Sequence, residues 1–291
     1  MTVVKYARGC QRQGTCRSKK NPNQSPKLYR AGNAMSSWNP DLYLQFKEER
    51  TQPARDLIAR IQLPNPRSIV DLGCGPGNST QVLRDRWPDA EITGVDNSPE
   101  MIRKARESHP QGRWEQADIQ TWKPKVTFDI VESNATLQWI PDHQRLIPRL
   151  FSLLRAGGAL AVQLPANQEA PLHLALLRIS RRSEWREYTA GCEDLIVYQP
   201  PEFYFEILSA LSSHFHLWET TYFHVLQAHR ELVDWYSSTG MKTYLERLPE
   251  ESQKQAFRVQ VLEACRAEYP VQRDGRILYP FRRLFFVAYR S

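Results

Sequence analysis

The chain has 291 residues, enough for one large α/β domain with an insertion or for two small domains. No window approaches the roughly 18 uninterrupted apolar residues of a membrane span, which argues against a membrane protein. The formal charge of +7 invites a nucleic-acid reading. Its distribution argues against one: residues 1–34 carry eight Lys or Arg and no Asp or Glu, and removing those eight from +7 leaves −1 for residues 35–291.

The basic stretch lacks apolar periodicity and is rich in Asn, Gln, Ser, Lys and Arg. Such a composition cannot bury enough apolar surface to offset its ordering entropy, so residues 1–34 are expected to be disordered. The stretch has neither the apolar core of a secretory signal nor a clear amphipathic helix, and it reads as an upstream extension with Met35 as the functional start. Only Tyr6 and Tyr29 interleave with its cations, too few for a base-stacking platform. The five cysteines (Cys10, Cys16, Cys74, Cys192, Cys265) are scattered with no C-x-x-C. Neither a metal site nor a redox pair is expected, and a reducing cytoplasm fits best.

Residues 38–62 read as a helical lead-in, with Ala54, Leu57, Ile58 and Ile61 at helical spacing and Pro64 and Pro66 ending it. Ser68–Leu72 is a short apolar strand and residues 78–86 a helix. Glu91–Val95 is the second strand. Residues 99–107 form a helix with Ser98 at its N-cap and Pro99 at its first position. Arg113–Ala117 and Phe128–Val131 are the third and fourth strands. Residues 144–154 are helical, with Gly157-Gly158 as the stop, and Ala159–Leu164 is the fifth strand. Alternation with short links implies a mostly parallel sheet with helices on both faces.

After Pro165 the pattern changes. Residues 170–213 look helical with a break near residues 199–201. Residues 216–226 look like a strand, with Trp218, Thr220, Tyr222 and His224 on one face. Residues 229–268 return to helix, residues 273–276 turn, and Leu284–Tyr289 closes the chain as a seventh strand. The expected organisation is a basic extension (1–34), a cofactor-binding core (35–165), a mainly helical cap that includes a late core strand (166–270), and a C-terminal strand completing the sheet (271–291).

The informative unit is the first strand, then Asp71-Leu72-Gly73-Cys74-Gly75-Pro76-Gly77, then a helix. Gly73 and Gly75 allow a tight turn and close approach to a ligand at the carboxyl end of the strand. Asp96, with Asn97 beside it, ends the second strand about 20 residues on, where an acid can accept both hydroxyls of a ribose. Asp118 ends the third strand, where its carboxylate can accept an adenine amino group while Ile119 packs on the ring. A nicotinamide cofactor would call for G-x-G-x-x-G and a pyrophosphate on the helix N-terminus. Here Asn78 stands where the third glycine would be. S-adenosylmethionine has no phosphate and needs acceptors near its ammonium and ribose, which this pattern supplies.

The chain resembles the class I S-adenosylmethionine-dependent methyltransferases and, within them, the trans-aconitate 2-methyltransferase family. The glycine loop marks only the superfamily. More specific are Ser37-Trp38-Asn39-Pro40 with Tyr43 and Phe46 through Arg50, Leu137 through His143, residues 162–165, Thr220-Thr221-Tyr222, Asp234-Trp235 and Arg283-Leu284-Phe285. The resemblance implies a Rossmann-like fold with a seven-stranded sheet and a helical cap, and methyl transfer to a carboxylate of trans-aconitate. A carboxylate is already a nucleophile, so no catalytic base is expected and catalysis rests on positioning. A polyanion is best held by Arg. Candidates for that role are Arg50, Arg283 and His143, supported by Tyr43, Gln163, Tyr222 and Trp235, with Trp139 near the point of methyl delivery. Asn134, at the end of the fourth strand, is placed to accept from the cofactor's ammonium. Alternatives are another small or carrier-bound acid as acceptor, or a non-catalytic cofactor-binding subunit. A small-molecule partner is expected, with no nucleic acid and no membrane. The oligomeric state is left open, a monomer included.

Overall fold

A computed structural model describes residues 47–291. The basic extension, the first part of the lead-in helix and Tyr43 lie outside the described residues. Strands β1 (Ser68–Leu72), β2 (Glu91–Asp96), β3 (Arg113–Gln116), β4 (Phe128–Asn134) and β5 (Leu154–Pro165) run parallel. Strands β6 (Phe215–Leu226) and β7 (Ile277–Tyr289) extend the sheet, with β7 antiparallel to both β5 and β6. The sheet has seven strands in the order β3-β2-β1-β4-β5-β7-β6.

The apolar run of β1 explains why both faces are covered. Ile69 packs with Leu57 and Ile58 of α1 (Lys47–Ala59) and Leu83 of α2 (Asn78–Arg86). Its neighbours Val70 and Leu72 point the other way, to Leu146 and Leu150 of α4 (His143–Ser152) and Leu208 of α7 (Pro201–Leu211). Burying each such side chain contributes about 1.5–3 kcal/mol, and strand alternation divides that contribution between two helical layers. Helix α3 (Pro99–Ser108) starts as its sequence dictates: Ser98 accepts from the Met101 N–H, and Pro99 occupies the first turn. The end of α1 is held from outside, where the Arg86 guanidinium donates to the Ile58 and Ile61 carbonyls.

Two expectations need correcting. Gly157-Gly158 does not stop a helix. Helix α4 ends at Ser152 and β5 has begun by Leu154, so the glycines fall inside the strand. The β4–β5 register jumps between Phe128↔Leu154 and Ile130↔Ala159, which leaves the glycines in a bulge. Gly157 has φ 79°, and a Cβ on Gly158 would come within 2.9 Å of the Asp129 carbonyl. The second correction is the length of β7, which starts at Ile277 rather than Leu284. Between residues 278 and 282 β6 is its only strand partner, since pairing with β5 begins at Arg283 and Ile277 also bridges to Val271. Pro280 is tolerated there because the strand has a neighbour on one side only.

This free-standing part of the β6–β7 ribbon carries a second core. Tyr279 and Phe281 pack with Leu172 and Leu176 of α5 (Pro171–Ser180), Trp235 and Tyr236 of α8 (Arg230–Ser237), Tyr244 of α9 (Lys242–Leu245) and Phe257 of α10 (Glu251–Cys265). Trp185, just before the short α6 (Arg186–Thr189), joins the same cluster. Residues 166–270 therefore divide between the two cores: α7 packs against the sheet, and the remaining helices pack on the ribbon. No described helix is long and apolar enough to cross a membrane.

Candidate active site

A cavity of about 300 Å³ opens at the carboxyl ends of the parallel strands. It is walled by the loop after β1, the ends of β2 to β5, and the cap. The first wall depends on glycine. Gly73 has φ 78°, and a Cβ there would lie 2.1 Å from the Thr136 side chain. Gly75 has open space around it, so its positive φ of 53° is what its position demands. The Gly73 N–H donates to the Val95 carbonyl (2.7 Å) and the Gly75 N–H to Asp96 Oδ2 (3.0 Å), which ties the loop to β2.

Asp96 also accepts from the Ser98 N–H through Oδ1 (2.8 Å), and burial raises its pKa. Asp96, Asn97, Asp118, Ile119 and Asn134 all line the cavity with Gly73 and Gly75. Asp118 is exposed and steadied by the Gln120 N–H (2.8 Å), while Ile119 is buried. Asn134 Oδ1 is buried without a hydrogen-bond partner.

Asp71 does not belong to this lining, which corrects the expectation. Its Oδ2 accepts from Ser79 Oγ (2.7 Å) and Thr80 Oγ1 (2.5 Å), fastening the end of β1 to the start of α2. Its neighbour across the β1–β4 register is Glu132, also fully buried. Burial raises both carboxyl groups, Glu132 well above the ordinary range, with Asp71 adding to it. Two buried acids side by side disfavour each other's ionisation. The signal for Glu132 was weak: it directly follows Phe128–Val131 in a strand that also carries Asp129.

The pair has a pH signature. Glu132 keeps its proton in the folded state at pH values where the unfolded chain has released it. Stability therefore falls as pH rises above the ordinary Glu value. Glu132→Gln retains a donor toward Asp71 and cannot ionise. Thermal melts of both proteins from pH 5 to 8 should show the variant gaining on the wild type as pH rises. A constant difference would mean Glu132 titrates normally.

On the substrate side the structure separates the candidates. Arg283 is only 5 % exposed and lines the cavity together with Trp139 and Trp235. Its Nη1 donates to Gln163 Oε1 (3.2 Å), and its guanidinium lies 4.5 Å from the Phe281 ring centroid. Gln163 stands behind Arg283, outside the lining. Arg50 is in α1, but its side chain is outside the described residues.

His143 is a correction. The Leu137 carbonyl can only accept, so His143 Nε2 carries the proton (2.9 Å) and Nδ1 accepts from Tyr204 (2.6 Å). The imidazole is buried, its pKa is lowered by that burial, and it joins the 137–139 turn to α7 instead of facing the cavity. Tyr222 donates to Asp56 Oδ2 on α1 (2.6 Å), and its ring centroid lies 5.9 Å from the Arg283 guanidinium carbon, so it stands behind that residue without lining the cavity. Sequence reasoning missed Asn167, Tyr198 and Tyr236, which line the cap side.

The chain matches the methyltransferase domain family over residues 69–158. It is 42 % identical over 261 residues to trans-aconitate 2-methyltransferases of Escherichia coli O157:H7 and of Enterobacter sp. strain 638, covering 88 % of this chain and 100 % of each relative. In fold it is similar to the YcgJ protein of Bacillus subtilis, at 13 % identity and a TM-score of 0.55, over 82 % of this chain and 99 % of that one. Fold and site together define a class I methyltransferase that uses S-adenosylmethionine. The chain belongs to the trans-aconitate 2-methyltransferase family.

Proposed function

We propose that this chain transfers a methyl group from S-adenosylmethionine to a carboxylate of trans-aconitate, giving a monomethyl ester. The observation that carries the reading is the single cavity joining the glycine loop to Arg283. The name shared by its relatives supports the acceptor.

The residues present fit the cofactor. Gly73 leaves a cradle that a Cβ would fill, and Asn134 Oδ1 is a buried acceptor without a partner. The acceptors near the loop suit a cation bearing hydroxyl and amino groups. Among the described lining residues the one cation, Arg283, is on β7, three strands from the loop in the sheet order. When bound, S-adenosylmethionine supplies an electrophilic methyl group on its sulfonium sulfur. In this reading Asp96, with Asn97 beside it, accepts from the ribose. Asp118 accepts from the adenine amino group, Ile119 walls the ring, and Asn134 accepts from the ammonium. Asp71 shapes the loop from beneath.

The acceptor carboxylate is ionised at neutral pH, so the chain needs no general base. Its task is orientation, which can supply about 7–11 kcal/mol of the barrier. Arg283 takes one carboxylate through its planar fork, with Gln163 fixing the guanidinium. Trp139 and Trp235 close the walls around the reacting end. The competing reading is transfer to another small or carrier-bound acid. Mass spectrometry of products from trans-aconitate, citrate and a malonyl thioester separates the two. A monomethyl ester from trans-aconitate, formed with the highest kcat/KM, is the expected result. Absence of that ester would overturn the assignment.

A further inference from the structure

We infer that Asn167 and Tyr198, backed by the His173–Tyr236 pair, form a second carboxylate subsite that holds a non-reacting carboxylate of the substrate. The inference rests on the polycarboxylate reading of the same cavity. Asn167 lies two residues beyond β5, Tyr198 precedes α7, and Tyr236 is on α8. All three line the cavity that holds Arg283 and Trp139.

Tyr198 is registered against the 137–139 turn that walls the cavity. The adjacent Val197 N–H donates to the Gln138 carbonyl (2.7 Å), and Gln138 immediately precedes Trp139. The Tyr198 hydroxyl sits 3.4 Å from Asn167 Oδ1, a long bond that a ligand oxygen can replace with a shorter one. His173 meets the Tyr198 ring edge-on at 5.3 Å, and its Nδ1 is 2.5 Å from the Tyr236 hydroxyl.

The chemistry of this wall is that of neutral donors. Burial pushes His173 down to about 4 and raises both tyrosines, so at neutral pH the wall offers hydroxyl and amide groups without charge. The side-chain hydrogen bonds of these four residues run within the group, Tyr198 to Asn167 and Tyr236 with His173. Phenylalanine would fill the same volume, so packing alone does not call for these hydroxyls. A ligand does. trans-Aconitate brings three carboxylates, and the described lining has one cation, Arg283. A carboxylate removed from water needs either a cation or several donors. Asn167 and Tyr198 are suited to provide the donors.

The test compares wild type with Tyr198→Phe on trans-aconitate and on three diacids that each lack a different one of its carboxylates, mesaconate, glutaconate and itaconate. The diacids are scored as substrates or as competitive inhibitors. Loss of a hydrogen bond to a charged group should raise KM for trans-aconitate by about 10- to 100-fold, with S-adenosylhomocysteine affinity and kcat little changed. One diacid, the one lacking the carboxylate held here, should escape that loss. An unchanged KM, or an equal loss on all four acids, would overturn the subsite. Wild-type turnover reports on the underlying reading separately. No ester from trans-aconitate with wild type would overturn that reading, whereas normal wild-type turnover with an indifferent variant overturns the subsite alone.

Discussion

Arg283→Ala is expected to raise KM for trans-aconitate by about 30- to 5,000-fold while leaving S-adenosylhomocysteine binding near wild type. Truncating one partner of a buried, hydrogen-bonded charge pair costs about 2–5 kcal/mol, which sets this range. Arg283 is buried to 5 % exposure and held by Gln163 and the Phe281 ring, so its fork is presented in one orientation. Arg283→Lys should recover little, because an ammonium lacks the planar pair of donors. Steady-state kinetics with a thermal melt as the folding control checks both variants. An unchanged KM in a folded Arg283→Ala protein removes this residue from the substrate clamp.

Gly73→Ala should abolish measurable cofactor binding. The added Cβ would lie 2.1 Å from the Thr136 side-chain atoms and 2.5 Å from its Cβ, so a rotamer change at Thr136 cannot clear the space. The 134–136 segment would have to move, and it carries Asn134 with it. The positive φ of 78° adds strain of about 1–2 kcal/mol for any L side chain. Combining Gly73→Ala with Thr136→Gly removes the collision and leaves the strain, so affinity should return to within about tenfold of wild type. Calorimetry with S-adenosylhomocysteine measures both. Wild-type affinity in Gly73→Ala would mean that the loop is not the cofactor cradle.

The parts of the site that were legible in the sequence are those written contiguously. Gly73 and Gly75 announce a backbone that must turn without side chains, and Asp96 and Asp118 follow at strand ends that periodicity alone can find. Residue type was less informative where the partner is distant in the chain. His143 and Tyr222 have the chemistry of substrate donors, yet their hydroxyl and imidazole groups are committed to Tyr204, 61 residues away, and Asp56, 166 residues away. Asp71 sits in the motif itself, but its carboxylate serves Ser79 and Thr80 instead of the cavity. Asn167, Tyr198 and Tyr236 come from three separate segments without a shared motif, and the early part of the β6–β7 ribbon, which carries the cap, has no clear strand pattern. Pro280 and Arg282 break the apolar run that marks the rest of β7 as a strand.

In the proposed reading, one cavity holds the cofactor on the glycine loop and the acceptor on Arg283. The most direct measurement is a crystal structure of the ternary complex with S-adenosylhomocysteine and trans-aconitate. The expected result places the ribose hydroxyls on Asp96, one substrate carboxylate on the Arg283 guanidinium, and another carboxylate oxygen facing the cofactor sulfur beside Trp139. A trans-aconitate bound outside this cavity, or bound within it without contact to Arg283, would contradict the account.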